Sequence, residues 1–178
     1  MSTLSLKTKS YDVQRSWANQ YDSMMNQLAC NILVSSSKLL SVYFKHPSLS
    51  EDRKQGIDMH IVMEPTKLSY RVREAKYKEY FLNEFTIRNT ARYGLSELEK
   101  IQTDNYASFL LYACAHPSEY GVIDCAVMID LGVLGSQLVA YPHLIEKAVK
   151  KNGFISFEYD SFPSDIVCGT WNLKRKGT

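Results

Sequence analysis

Two acidic residues and a lysine in the first half of the chain have the types and spacing that could hold a divalent metal ion. Asp58 stands in the stretch GIDMHIVM, and Glu74 and Lys76 stand two residues apart in REAK. Hydrolysis of a phosphodiester needs an activated water and a neutralised phosphoryl oxygen, and Mg²⁺ or Mn²⁺ on carboxylates supplies both. We expect Asp58, Glu74 and the carbonyl oxygen of Ala75 to hold such an ion. Lys76 would orient the water or stabilise the developing charge.

A β-hairpin is the element expected to bring these side chains together. Strands are predicted at 57–63 and 68–77, because both stretches are rich in β-branched and aromatic residues and a proline turn separates them. A tight turn would place Asp58 opposite Arg73 and turn Glu74 to the other face. A shared metal therefore requires an odd loop or a bulge. The prediction is that the two carboxylates lie within about 6 Å of each other.

The rest of the chain predicts a mixed α/β domain. Apolar residues recur at spacings of three and four over 12–35, which predicts an amphipathic helix. Ser96 with Glu99 three residues later is typical of a capping box at a second helix start. The other predicted elements are strands at 39–44, 84–88, 107–115, 121–131 and 154–159, and helices at 131–139 and 142–151. This order predicts a single domain over 1–178 with a central mixed sheet flanked by helices. Residues 1–10 are expected to be loosely ordered.

Basic residues concentrate on the second predicted strand although the net charge of the chain is only +2. The stretch from position 67 to position 78 contains five lysines and arginines but only one acid, Glu74. Such a concentration suits a polyanionic substrate. The candidates for phosphate contacts are Arg71, Arg73, Lys78 and the C-terminal run 174–176. The alternative is that alternate strand positions are simply solvated.

Two charged pairs outside the predicted hairpin have ordinary explanations. Glu97 and Lys100 are three residues apart on the predicted helix, so an exposed surface pair is expected. Glu84 and Arg88 lie on one face of their predicted strand. An internal ion pair and a contact with phosphate remain equally open for Arg88.

The four cysteines indicate a reducing compartment. They are scattered, with no CxxC pair, and Cys30 and Cys114 are expected to be buried free thiols in apolar surroundings. The sequence shows no signal peptide and no apolar stretch of membrane-spanning length. An intracellular, cytoplasmic protein is therefore expected. The eight glycines are dispersed, which disfavours phosphate loops and dinucleotide-binding folds.

The arrangement of Asp58 and Glu74-Ala75-Lys76 resembles the PD-(D/E)XK nuclease superfamily. Fifteen residues separate the two acids, which fits a hairpin, and the predicted elements before and after it also fit. Downstream, Asn83-Glu84-Phe85 and the strand around 106–112 look like phage-encoded and restriction-type members. The resemblance covers roughly residues 11–131. This chain has Ile57 where the family has proline.

The resemblance implies a restriction-endonuclease-like fold, with a single nuclease-like domain cutting DNA as an endonuclease. It implies Mg²⁺ or Mn²⁺ as cofactor and Asp58, Glu74 and Lys76 as catalytic residues. Members commonly add an acid from the first helix, for which Asp22 is the first candidate and Gln20 the second. Many members act as homodimers. The alternative is a non-catalytic nucleic-acid-binding or inhibitory protein on the same fold.

Overall fold

A four-stranded mixed sheet lies at the centre of the computed structural model, which describes residues 13, 16, 17, 19–35, 42–45, 60–63, 67–91 and 94–173. We call it the major sheet, and its strand order is β3-β5-β6-β9. The four strands are β3 (Leu68–Arg73), β5 (Phe109–Ala115), β6 (Ile123–Asp130) and β9 (Val167–Trp171). β3 runs parallel to β5, and the other neighbours are antiparallel. The parallel pair places the carboxyl ends of β3 and β5 at the same edge of the sheet.

Two smaller sheets accompany the major sheet. The second sheet has the order β4-β8-β7 and is antiparallel throughout. A two-stranded antiparallel sheet pairs β1 with β2. The bounds are β1 (Val42–Lys45), β2 (His60–Met63), β4 (Glu84–Arg88), β7 (Val149–Lys151) and β8 (Phe154–Glu158).

Besides the helical residues Val13, Ser16, Trp17 and Asn19, five α-helices lie within the described residues. They are α1 (Asp22–Ser35), α2 (Lys78–Asn83), α3 (Glu97–Gln102), α4 (Leu131–Ala140) and α5 (His143–Lys147). The capping box predicted for α3 is confirmed. The Ser96 hydroxyl accepts from the Glu99 N–H, and the Glu99 carboxylate accepts from the Ser96 N–H at 2.6 Å. Two N–H groups that the helix leaves without partners are satisfied in this way.

Strand β5 explains why the protein has a core on both faces of the major sheet. All seven residues of its FLLYACA run are buried, as expected of a strand covered on both sides. Leu111 and Ala113 pack with α1, whose apolar face includes Met25 and Ile32. Residues on the opposite face of β5 pack with the second sheet and with α2, α3 and α4. The predicted α/β class with a mixed sheet flanked by helices is confirmed at this level.

Helix α4 lies very close to α3, and Gly135 permits the approach. A Cβ atom added at Gly135 would be 2.6 Å from the carbonyl oxygen of Ile101. Because that neighbour is backbone, it cannot move aside as a flexible side chain would. The residue is therefore fixed as glycine by packing.

The predicted hairpin of strands 57–63 and 68–77 is wrong. Within the described residues β2 pairs with β1, with Met63 opposite Val42, and β3 pairs with β5. The second strand also ends earlier than predicted, at Arg73. Glu74 continues in extended conformation, and the chain then turns into a 3₁₀ helix, Ala75–Tyr77.

The predicted helix at 142–151 is correct only in its first half. Its last three residues form β7, which returns into β8 through Asn152 and Gly153. Both turn residues have positive φ, 52° and 78°. This is the backbone of a type I′ hairpin, for which Asn-Gly is the favoured sequence. Strand β9 and helix α2 are absent from the sequence predictions.

The prediction for the cysteines is half right. Cys114 is buried, as expected, whereas Cys30 lies on the exposed side of α1. Cys114 pairs in register with Cys125 on β6, and both thiols are inaccessible. The helix periodicity places Cys30 two residues before Ile32, away from the apolar face. No helix in the described part of the chain is long and apolar enough to cross a membrane.

Candidate functional site

An open cleft of about 400 Å³ lies at the carboxyl end of β3. We call it the β3 cleft. Ligands commonly bind at the carboxyl ends of strands in open α/β sheets. Three segments form its walls: the chain at the start of α1, the turn after β3, and the loop between β5 and β6. Its lining residues are Trp17, Tyr21, Glu74, Ala75, Lys76, Ala115, His116, Pro117, Ser118, Glu119 and Tyr120.

Glu74 and Lys76 meet at this cleft, as the spacing in the sequence predicts for a paired acid and amine. The Lys76 Nζ lies 2.7 Å from the Glu74 Oε2 and 5.0 Å from the Tyr77 ring centroid. The hydrogen bond from Lys76 to Glu74, together with the carboxylate charge, raises the pKa of the Lys76 ammonium. Lys76 is therefore a cation and hydrogen-bond donor at neutral pH, not a base. Both side chains are open to solvent, so a ligand can reach them.

The other predicted ligands are only partly described. Asp58 lies outside the described residues, so its distance from Glu74 stays a prediction. Asp22 begins α1, and its carboxylate accepts a hydrogen bond from the Tyr70 hydroxyl of β3. Gln20 lies just before α1, and its Oε1 is buried with no hydrogen-bond partner in the described part of the chain. Both residues flank Tyr21, which lines the cleft.

The residues present fit a Mg²⁺ ion only in part. The Glu74 carboxylate and the Ala75 carbonyl are hard oxygen donors of the kind that Mg²⁺ prefers. Within the described residues, however, no group of three His, Cys, Asp or Glu side chains could hold a metal. A complete donor set at Glu74 would thus need a carboxylate from outside the described residues, and Asp58 is the residue the sequence offers.

The loop between β5 and β6 contributes cleft residues that the sequence interpretation missed. His116 Nδ1 accepts a hydrogen bond from the Glu119 N–H at 3.1 Å, which holds the ring at the cleft. Burial is the main cause of the raised pKa of the Tyr21 phenol, and the nearby Tyr120 raises it further. A signal for the loop exists, since His116 follows directly after the buried run of β5. Its relevance depends on β5 lying parallel to β3, which no local pattern indicates.

The three basic residues predicted to contact phosphate have partners within the protein. Lys78 Nζ lies 2.6 Å from Asp124 Oδ2. Arg71 donates to the Thr86 carbonyl and to the Glu97 carboxylate, the latter at 2.5 Å. Arg73 donates to the Tyr112 hydroxyl at 2.7 Å and to the Thr86 hydroxyl. The predicted phosphate contacts of Arg71, Arg73 and Lys78 stay predictions. The run 174–176 lies outside the described residues.

Arg71 and Arg73 point away from the β3 cleft. In the register of β3 and β5, Arg71 is beside Tyr112 and Arg73 is beside Cys114, on the side of the second sheet. Tyr70 and Val72 alternate with them and pack on the α1 side. The arginines and the cleft are therefore on opposite sides of the major sheet.

Glu97 is not the exposed surface residue that its spacing from Lys100 predicts. It is buried, pairs with Arg71, and accepts hydrogen bonds from the Arg88 N–H at 2.7 Å and the Tyr106 hydroxyl at 2.8 Å. Burial acts to raise the pKa of the Glu97 carboxyl, but the Arg71 charge and these hydrogen bonds lower it more. Glu97 is consequently ionised at neutral pH inside the fold.

Comparison with known proteins assigns the chain to no family. No family model, curated protein or solved structure matches the chain. The fold and site together define an α/β protein with an acid–lysine pair at the carboxyl end of a parallel strand.

Proposed function

We propose that the protein is a metal-dependent phosphodiesterase, a DNA endonuclease with a restriction-endonuclease-like fold. The supporting observation is the Glu74–Lys76 pair, 2.7 Å apart at an open cleft where β3 and β5 end. The helix before β3 and the mixed sheet that contains β3 support the resemblance drawn from the sequence, whereas the hairpin predicted with it is absent from the described residues. By the same resemblance we propose a homodimer in an intracellular setting, with the dimer open to test by light scattering.

In this proposal Glu74, Asp58 and the Ala75 carbonyl hold a Mg²⁺ or Mn²⁺ ion. When bound, the ion would lower the pKa of a bound water and neutralise a phosphoryl oxygen. Lys76 supplies a positive hydrogen-bond donor beside the scissile phosphate, where charge develops. Its raised pKa favours charge stabilisation or water orientation over proton abstraction. Asp22 and Gln20 support the site from the start of α1.

Plasmid cleavage in the presence of Mg²⁺ or Mn²⁺, with EDTA as the blank, tests the proposal. We expect nicking or linearisation by the wild-type chain. Asp58→Asn, Glu74→Gln and Lys76→Ala should each lose at least about a hundredfold in rate. Lys147→Ala, an exposed lysine on α5, is the matched control and should cut normally. Thermal melting establishes that each variant is folded. A folded wild-type protein without metal-dependent cleavage would overturn the proposal.

A second candidate is a non-catalytic nucleic-acid-binding or inhibitory protein on the same fold. One observation favours it: Lys76 already neutralises Glu74, the cleft carboxylate that directly follows β3. This candidate predicts tight binding of nucleic acid, or inhibition of a nuclease, with no cleavage under any metal. It also predicts that Mg²⁺ leaves the melting temperature unchanged, since no ion would bind the folded state.

A further inference from the structure

Three arginines converge on one aromatic ring on the side of the major sheet opposite the β3 cleft. The guanidinium carbons of Arg71, Arg73 and Arg88 lie 5.3, 5.4 and 5.6 Å from the centre of the Phe154 ring. Each distance falls within the range of a cation–π contact. We call these four residues the arginine cluster. Two arginines come from β3 and one from β4, so the cluster is built at the junction of two sheets.

The strand register fixes the cluster and adds a fourth cation at its rim. Phe154 on β8 is directly opposite Arg88 on β4 and directly opposite Lys151 on β7. Directly opposed residues of antiparallel strands place their side chains on the same face. The Gly153 carbonyl accepts from the Asn89 N–H at 2.8 Å, which ties the β7–β8 turn to the end of β4. Lys151, Phe154 and Arg88 therefore form one row across the second sheet.

The charges of the cluster are not balanced within the described part of the protein. Glu97 is the sole acid paired with the cluster there, and it pairs with Arg71. Arg73 donates to the neutral hydroxyls of Tyr112 and Thr86. The Arg88 guanidinium contacts the Phe154 ring and forms no hydrogen bond or ion pair with a described residue. Three cations against one anion leave a local excess of positive charge.

The nearest acids on that face do not remove this excess. Glu84 and Glu158 are opposite each other, four residue pairs from the Arg88–Phe154 pair along the strands, with the Thr86–Ser156 pair on the same face between them. Neither acid forms an ion pair with any described residue. The Ser156 hydroxyl, one row from Phe154, is buried and has no hydrogen-bond partner in the described residues. A buried hydroxyl without a partner, on the same face as the unpaired Arg88 guanidinium, is consistent with a site completed by an acceptor group.

We propose that the arginine cluster, with Lys151 at its rim, binds a phosphate group. Guanidinium groups pair with phosphate through parallel hydrogen bonds, and several arginines around one anion meet its charge and its geometry. Arg88 is exposed and supplies the accessible face, while Phe154 holds the three guanidinium groups together. The phosphate belongs either to a nucleic-acid backbone or to a small phosphorylated compound such as a nucleotide. This site is separate from the acid–lysine pair and does not depend on cleavage.

Fluorescence anisotropy with a short labelled oligodeoxythymidine, in EDTA and low salt, tests the proposal. We expect saturable binding that inorganic phosphate competes away. Arg88→Gln and Lys151→Gln should each weaken binding about tenfold, and each should reduce the slope of log K against log salt by about 0.7. Arg88→Lys should restore part of the affinity. Lys150→Gln is the matched control, because Lys150 lies on the same strand with its side chain on the other face.

The outcomes separate the two sources of phosphate and the two proposals. Oligonucleotide binding much tighter than phosphate binding supports a nucleic-acid backbone, and equal affinities of phosphate, nucleotide and oligonucleotide support a small compound. Equal binding by wild type, Arg88→Gln and Lys151→Gln, with all three folded by thermal melting, would overturn the site. Absence of any binding would overturn it as well. EDTA prevents cleavage, so the anisotropy measurement can be interpreted even if the nuclease proposal fails. The cleavage assay does not report on the arginine cluster, and the anisotropy measurement decides that proposal.

Discussion

The Glu97 carboxylate lies 2.5 Å from the Arg71 guanidinium, and this contact joins helix α3 to the edge strand β3. The two side chains are 7% and 18% exposed, so neither charge has much access to water. The Arg88 N–H and the Tyr106 hydroxyl complete the surroundings of the carboxylate. A buried ion pair of this kind is costly to break, because the remaining charge has no solvent to replace its partner.

Glu97→Gln is expected to destabilise the protein by about 2–4 kcal/mol, since it leaves Arg71 largely buried without a counter-charge. Urea unfolding followed by circular dichroism measures the change. Glu99→Gln on the same helix is the control, because glutamine preserves the capping box with Ser96. We expect a loss of less than about 1 kcal/mol there. Equal effects of the two variants would show that the Arg71 contact contributes little.

The stability of the wild type should also fall in acid for the same reason. The pKa of the Glu97 carboxyl is lower in the folded protein than its ordinary value of about 4.3. The contribution of the ionised Glu97 carboxylate to the free energy of unfolding is therefore complete above that ordinary pKa. It is lost as the pH falls through the pKa of the folded protein. The difference in unfolding free energy between wild type and Glu97→Gln should stay constant from about pH 6 to 8 and shrink below about pH 4. A difference that does not change with pH would contradict this account.

Gly135→Ala is expected to lower stability by about 1–3 kcal/mol, although alanine favours helix. The new methyl group would meet the Ile101 carbonyl and force α3 and α4 apart. Gly132→Ala is the matched change on the same helix. Its methyl group would lie 3.3 Å from an Asp130 side-chain oxygen, at an exposed position. The melting temperature of Gly135→Ala should therefore be well below that of Gly132→Ala. The reverse order would refute the close packing of the two helices.

The thiols should differ sharply in reactivity. Cys30 is exposed, whereas Cys114 and Cys125 are 0% and 1% exposed. The hydrogen bond with Cys114, and burial, also raise the pKa of the Cys125 thiol, which keeps it protonated. A colorimetric disulfide reagent should label Cys30 quickly in the native protein and reach the buried pair only in denaturant. Cys30→Ser should abolish the fast phase. A fast phase that survives this substitution would mean that the half-buried Cys168 or the buried pair is readily accessible.

Local sequence signals predicted the elements whose physics is local. The Ser96–Glu99 capping box fixed the start of α3, and the apolar runs around β5 and β6 marked two buried strands. Asn152-Gly153 follows directly on the predicted helix 142–151, and in the structure it forms the turn between β7 and β8. The same dipeptide ends helices and forms type I′ turns, and the lysines before it suit either structure.

The pairing of β3 and the burial of Glu97 depend on contacts distant in sequence. The short separation of β2 and β3 favoured a hairpin, but β2 pairs with β1 and β3 with β5. Glu97 has a typical surface partner in Lys100. Its carboxylate can be buried only because Arg71 of β3, which is distant in sequence, pairs with it. The proximity of Glu74 and Lys76 was predictable because only Ala75 separates them. The loop of His116 was not, since its place beside them follows from the β3–β5 pairing.

That pairing has a consequence for how the chain reaches its native state. β5 and β6 are linked by a short loop and meet early at little entropic cost, whereas Leu68 must find Phe109 across an intervening helix, strand and helix. Closing a long loop delays contacts of this kind during folding. The β5–β6 hairpin would then form as a template on which β3 docks late. The edge that carries Glu74 and Lys76 is thus expected to be completed near the end of folding.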